Sequence, residues 1–313
     1  MSAPTLERAL SEYLAVRRAL GYQLLRPGKS LKSFVLFAKA EGAAVITTDL
    51  AIRWAQLPKN VEPSTWASRL ALVRRFARHC QVSMPATEIP PAGLLPHRYR
   101  RKPPYLFDNR EITRLLKAAR QLTSKRGLRP FTYETLLGLL ACAGLRISEV
   151  LALDDSDVDV DNAILTIRGS KFGKSRYVPF HPSTRQAICR YRAQRDCRLS
   201  RRECPALLVT ENGTRLSYSG VKWVFHGLLR AAELDLHEGQ RRPRMHDVRH
   251  TFAVRTLLRW YRAGVDVEAY LPRLATYLGH THVTDTYWYL SAVPELLQCA
   301  LRRLELLQRR SRS

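Results

Sequence analysis

Seven side chains capable of chemistry stand at the ends of apolar segments or on a turn: Arg146, Lys171, His246, Arg249, His250, His280 and Tyr289. Arg146 follows Ala143-Gly144-Leu145, Lys171 lies in a glycine-bearing turn, and His246, Arg249 and His250 open the segment HDVRHTFAVRTLL. His280 ends the apolar run 274–279, and Tyr289 lies nine residues later. No Ser-His-Asp grouping or carboxylate pair stands out, and no glycine-rich loop opens a helix after a strand, so nucleotide-cofactor and P-loop readings lack support. The set does suit one phosphodiester. Guanidiniums can fork onto its non-bridging oxygens and neutralise a pentacoordinate transition state. A tyrosine hydroxyl can attack phosphorus. A lysine can protonate the leaving 5′-oxygen, and histidines can take the phenol proton or donate to a phosphoryl oxygen.

The elements that must hold these residues are mostly helices. Apolar spacing predicts helices over Thr5–Leu20, Ser30–Ala40, Thr48–Gln56 and Pro63–Cys80. In the last of these Trp66, Leu70, Val73, Phe76 and Ala77 make a stripe, with Arg69, Arg74, Arg75 and Arg78 largely off it. Prolines 85, 90, 91, 96, 103 and 104 then forbid a helix, and the basic run Arg98-Tyr99-Arg100-Arg101-Lys102 sits among them. Asp108 reads as an N-cap, and Phe131–Cys142 as a buried helix ending at Gly144. Ala163–Ile167 and Arg176–Phe180 read as two strands of a hairpin with Lys171 and Lys174 at its tip. Further helices are expected at Ser183–Arg198, Ser219–Ala232, His246–Ala263, Leu271–Leu278, Thr284–Leu290 and Pro294–Leu307. The expected fold is mainly α with a small antiparallel β-sheet: an all-α N-terminal domain over residues 1–88, a proline-rich basic linker over 89–104, and an α+β catalytic domain over 105–313 with a C-terminal helical tail.

Composition names the partner. The chain has 313 residues and a formal net charge of +25, with 45% hydrophobic residues. It can build cores and still present a positive surface, which points to a polyanion. Residues 1–95 carry +7 and the remainder +18, so a basic tail on a neutral enzyme is excluded. No run of about 18 apolar residues occurs, so no membrane span is expected. Met1–Leu10 lacks a basic stretch followed by an apolar run, so no signal peptide is expected either. Six scattered cysteines without a CxxC pair fit reduced thiols in a cytoplasm.

Five pieces in order carry a resemblance: AGLRISEVLAL over 143–153, the turn lysine before KSRYVPF, HDVRHTF over 246–252, LGH over 278–280, and the tyrosine nine residues beyond. Together they resemble the tyrosine recombinases, the phage-integrase-type site-specific recombinases, over most of 105–290. The stretch TYWYLSAVPELL is similar to transposon-encoded members. The resemblance implies that Arg146 and Arg249 are the catalytic arginines and Lys171 the turn lysine. It makes His246 and His280 the catalytic histidines, Tyr289 the nucleophile, and Glu149 and His250 supporting residues. It implies a 3′-phosphotyrosyl intermediate, no metal and no cofactor. The implied partners are duplex DNA and further copies of the chain or related recombinases in a tetrameric synapse, for integration, excision or transposition of a mobile element. The N-terminal domain resembles the family's DNA-binding domain only in size, helicity and charge.

Alternatives stand beside each assignment. Tyr287 competes with Tyr289, but two residues apart on a helix they face opposite ways; packing around Trp288 is the plainer role for both. Lys174 competes with Lys171, and His250 reads equally as a core histidine. His246 and His250 have ligand spacing for a metal, but HDVRH lacks the glutamate of HExxH, and the arginine inside the pair would oppose a cation. The acidic run 154–161 fails as a calcium loop, with Asn162 and Arg168 where glycine and glutamate are required, and reads as a solvated turn. Expected DNA contacts are Arg69, Arg74, Arg75, Arg78, Arg98, Arg100, Arg101, Lys102, Lys174, Arg241, Arg242 and Arg244. A topoisomerase-like relaxation of single duplexes and a non-catalytic DNA-binding accessory recombinase are the rival functions. The C-terminal segment, with Leu297, Leu301 and Leu304 at helical spacing, could dock on a neighbouring protomer or pack in cis.

Overall fold

A computed structural model describes residues 5–96, 103–169, 175–199, 203–234 and 242–310. The chain divides into two compact units, Met1–Lys102 and Pro103–Ser313.

The first unit is built from four helices: α1 (Leu6–Ala19), α2 (Leu25–Ala40), α3 (Thr48–Gln56) and α4 (Pro63–Ser83). The side chains of Thr5 and Thr47 cap α1 and α3 by accepting N–H groups of the first turn. Helix α2 starts five residues before the expected Ser30. Pro27 falls in its first turn, where the missing N–H has no intrahelical partner to lose. Phe34 and Trp54 meet edge-to-face at 5.3 Å in the centre, among Leu31, Val73 and Phe76. Truncating Trp54 to alanine would cost about 3–5 kcal/mol.

The proline-rich segment is fastened to this unit through Leu95. Ile89 and Leu95 pack on its core, and the Glu88 carboxylate accepts the Thr48 N–H at 2.7 Å. Arg74 donates to the Pro90 and Pro91 carbonyls, each at 2.5 Å. Prolines cannot donate, but their carbonyls accept, and an arginine fork suits two of them in succession.

In the second unit α5 (Asn109–Arg120) opens with a capping box in which Asp108 and Glu111 each accept the other's N–H at 2.7 Å. Helix α6 (Arg129–Ala143), apolar on nearly all sides, runs through the core and stops at Gly144. A short α7 (Ile147–Ala152) follows. Then comes a three-stranded antiparallel sheet in the order β1 (Val158–Asp159), β2 (Ile164–Ile167), β3 (Arg176–Pro179), with Leu165 opposite Val178. The two-residue β1 has no signal of its own in the sequence. The remaining helices are α8 (Pro182–Arg198), α9 (Tyr218–Ala231), α10 (Met245–Arg262), α11 (Val267–Leu278), α12 (Thr284–Ala292) and α13 (Pro294–Arg310). Helix α11 begins four residues before the expected Leu271. Asp266 caps it, and Val267, Leu271, Leu274 and Leu278 form a buried face that carries the helix through Pro272. Helices α10 to α13 share a second core around Leu257, Leu271, Tyr289 and Leu296.

The acidic run divides: Asp159 and Asp161 stand in an exposed turn before β2, as expected, whereas Asp154, Asp155 and Asp157 are engaged by arginines. Asp155 binds Arg192 and Arg195, Asp157 binds Arg168, and Asp154 binds Arg215. Arg195 is 1% exposed and also pairs with Asp196. Part of the chain's positive charge is therefore consumed inside the fold. Among the described residues no helix is long and apolar enough to cross a membrane.

Candidate active site

Two helices end on glycines, and the site is assembled on those ends. Gly144 closes α6 at φ +58°, and a Cβ there would lie 2.3 Å from the Phe252 ring. Gly279 closes α11 at φ +67°, and a Cβ there would lie 2.8 Å from Arg176 Nη1. Only glycine fits both the left-handed conformation and the space. The last carbonyls of such helices lack intrahelical partners and carry the negative end of the helix dipole, so they favour cations. Here they receive three arginines. Arg249 donates to Gly144 O at 2.8 Å and to Leu278 O at 2.6 Å. Arg146 donates to Gly279 O at 2.6 Å. Arg176 donates to Tyr277 O at 2.8 Å.

One buried carboxylate joins them. Glu149 accepts from Arg146 Nη1 at 2.7 Å and, through both oxygens, from Arg176 at 2.9 Å each; Arg249 Nη1 stands 4.0 Å away. Glu149 also accepts the Arg146 N–H at 2.9 Å, which closes the first turn of α7 and fixes the spacing of the pair. Burial alone would raise the Glu149 pKa, but the Arg176 guanidinium and the Arg146 backbone hold it down at about 2. Burial, and then the nearby charge of Arg146, push Arg249 down to about 10. Three guanidiniums against one carboxylate leave a positive excess, and a site of this balance suits an anion.

The tyrosine lies beside this cluster. Tyr289 is 1% exposed, and its hydroxyl is 2.7 Å from His250 Nδ1. His250 follows Arg249 on α10, and its ring meets those of His246 at 4.5 Å and Trp288 at 5.7 Å. His280 Nδ1 is 2.7 Å from the hydroxyl of Thr286, a fully buried residue of α12. His246 is at the exposed start of α10. Tyr287 points away and is 46% exposed. The structure thus gathers Glu149, Arg249, His250 and Tyr289 from α7, α10 and α12, with Arg146 at the cap of α7 and His280 just beyond the end of α11. Lys171 and Lys174 lie outside the described residues.

Two members of the site were missed in the sequence. Arg176 reads there as one residue of a β-strand, and only the fold shows that its side chain reaches Glu149. Thr286 carries no signal beyond its distance from His280. Some expected DNA contacts are redirected. Arg69 lies over the Trp54 ring, 3.7 Å from its centroid, donates to Trp54 O at 2.8 Å, and has its pKa lowered by burial. Arg74 is held by the Pro90 and Pro91 carbonyls. Both guanidiniums are engaged with backbone, whereas Arg75 and Arg78 on the same helix are exposed. Arg244 is exposed 3.6 Å from the buried Asp247, and Arg242 is 3.4 Å from His226. Arg98, Arg100, Arg101, Lys102 and Arg241 lie outside the described residues.

Comparison with known proteins fits this geometry. The model of the phage integrase family matches residues 106–295. A Sinorhizobium fredii protein named "Putative integrase/recombinase y4rB" is 45% identical over 96% of this chain and 97% of its own. The tyrosine recombinase XerD of Caulobacter vibrioides is 29% identical over 92% of each chain. Among solved structures, the Tn1549 transposon integrase in complex with transposon right end DNA aligns with a TM-score of 0.63 at 17% identity, covering 96% of this chain and 100% of that one. The XerH recombinase bound to a palindromic difH substrate aligns with a TM-score of 0.63 at 17% identity, covering 90% and 78%. These two establish the mostly helical fold with its small sheet. The chain belongs to the phage integrase family, the tyrosine recombinases, and is an enzyme that cleaves and rejoins DNA in site-specific recombination.

Proposed function

We propose that this recombinase cuts each strand of a duplex DNA site through Tyr289, whose hydroxyl attacks phosphorus to leave a 3′-phosphotyrosyl bond and a 5′-hydroxyl. The strand is then rejoined to a partner strand, so that a mobile element is integrated, excised or transposed. The observation that carries this proposal is the positive excess around Glu149, whose member Arg249 directly precedes, on α10, the histidine that holds Tyr289. Arg146 and Arg249 bind the two non-bridging oxygens and stabilise the charge that builds there. Arg176 positions Glu149, which in turn aims Arg146. Lys171 protonates the leaving 5′-oxygen, and His246 and His280 donate to phosphoryl oxygens. The phosphotyrosine conserves the bond energy, so no ATP enters. The arginines supply the positive charge, so the reaction as proposed has no metal or cofactor step.

Duplex DNA is the substrate, and the +25 charge fits a protein that follows its phosphates. Arg75, Arg78, Arg244 and the basic residues 98–102, with Lys174, Arg241 and Arg242, are the proposed backbone contacts. The working assembly is a tetramer on two DNA sites, acting in the cytoplasm. Solved relatives named as a transposon integrase and as a recombinase on its difH substrate support duplex DNA and the mobile-element role.

A nicked suicide substrate tests the chemistry. Wild type and Tyr287→Phe should each form a covalent, protease-sensitive DNA adduct, and Tyr289→Phe should form none. An adduct with Tyr289→Phe, or its loss in Tyr287→Phe alone, would sink the assignment.

A further inference from the structure

We infer that His250 is a catalytic residue that orients the Tyr289 hydroxyl and accepts its proton as the tyrosine attacks; the inference rests on the function proposed above. Attack by a phenol on phosphorus needs a base on the nucleophile side, and a candidate base must lie within about 2.6–3.2 Å of the proton it takes. His250 Nδ1 stands 2.7 Å from the Tyr289 oxygen. Of the other two histidines proposed for the site, His280 has its Nδ1 on Thr286 and His246 stands at the exposed start of α10.

Three further observations make the pair a built one. Both residues are buried, at 5% and 1% exposure, so water competes little for the proton. The imidazole is wedged between the rings of His246, Trp288 and Tyr289 at 4.5, 5.7 and 5.4 Å, which fixes its rotamer. Finally, His250 is adjacent to Arg249, whose guanidinium is pinned to Gly144 and Leu278, so base and phosphate ligand are positioned by one helix. With the ring proton on Nε2, Nδ1 accepts the phenol hydrogen bond.

The step balances. The Tyr289 oxygen–phosphorus bond forms, the phosphorus–5′-oxygen bond breaks, the phenol proton moves to His250 Nδ1, and Lys171 gives a proton to the 5′-oxygen. In religation the 5′-hydroxyl returns its proton to Lys171, and the imidazolium returns its proton to the departing tyrosine.

Single-turnover cleavage of a nicked substrate tests this, using one DNA with the normal 5′-oxygen and one with sulfur in the leaving position. A sulfur leaving group departs without a proton, so it repairs only defects on the leaving side. His250→Phe and His250→Ala should cleave about 10²–10³-fold more slowly with DNA affinity retained. Sulfur should leave them equally slow while it rescues Lys171→Ala. His250→Asn, which offers an acceptor near the Nδ1 position but no base, should also stay slow, and added imidazole should speed His250→Ala. Wild-type rates in His250→Phe or His250→Asn, or repair of His250→Phe by sulfur, would overturn the assignment. Failure of the function itself is separate: it would appear as covalent adducts that persist in Tyr289→Phe.

Discussion

Two arginine–carboxylate clusters lie in the same unit, and they differ in balance. Around the acidic run, Asp154, Asp155, Asp157 and Asp196 face Arg168, Arg192, Arg195 and Arg215, four charges against four. Around Glu149, one carboxylate faces three arginines. Arg195 and Arg249 are equally inaccessible at 1% exposure. Burial works against the charge of both. For Arg195, Asp196 and Asp155 more than offset it and hold the pKa above the ordinary arginine value. For Arg249, Arg146 adds to burial and the pKa falls. The balanced cluster is complete and holds the fold. The unbalanced one keeps a positive excess, which suits an anion.

The contrast is sharpest at the two buried arginines. Arg249→Ala should abolish covalent cleavage, by about 10³-fold or more, while retaining most DNA binding, read by adduct formation and a binding isotherm side by side. Joint loss of both would mean that Arg249 does not serve one phosphate. Arg195→Ala should instead lower stability by about 3 kcal/mol, because it strips a buried partner from Asp155 and Asp196. Urea denaturation of the variant measures this, and its residual folded fraction should still cleave.

Acid should separate the clusters next. The Glu149 pKa is about 2 in the fold against an ordinary 4.5, so its contribution is complete above about 4.5 and is lost as the pH falls toward 2. The amount is on the order of 3 kcal/mol. Glu149→Gln should remove this portion of the acid dependence, so its stability falls less steeply over that window than that of wild type. An unchanged slope would show that the arginines do not depend on the carboxylate. The smallest effect is expected at Gly279→Ala. The left-handed conformation costs about 1–2 kcal/mol, and the new methyl displaces Arg176 and Arg146, so cleavage should fall more than thermal stability does.

The legible and illegible parts of this molecule divide along the range of the interactions. Helices α3 and α4 follow from apolar spacing, and the catalytic candidates follow from their order along the chain. Arg176 was not legible, because a strand arginine reveals nothing of the carboxylate 27 residues earlier that it grips. The pairing of Asp154 and Asp155 is illegible for the same reason, since their partners Arg192, Arg195 and Arg215 come from later elements, whereas the exposed turn at Asp159 and Asp161 is as expected. Helix α2 starts earlier than expected because Pro27 falls in its first turn, where proline is tolerated, and α11 because its buried apolar face carries it through Pro272. Arg69 and Arg74 looked like surface charge because only the folded unit brings Trp54, Pro90 and Pro91 to them.

The end of α11 holds Arg176 through Tyr277, Arg249 through Leu278 and Arg146 through Gly279. Three successive carbonyls on one rigid element make a shared fastening. Sliding that helix end by about 1 Å would carry all three contacts out of hydrogen-bonding range together. The end of α11 therefore couples the three arginines, each of which has a second anchor on Gly144 or Glu149.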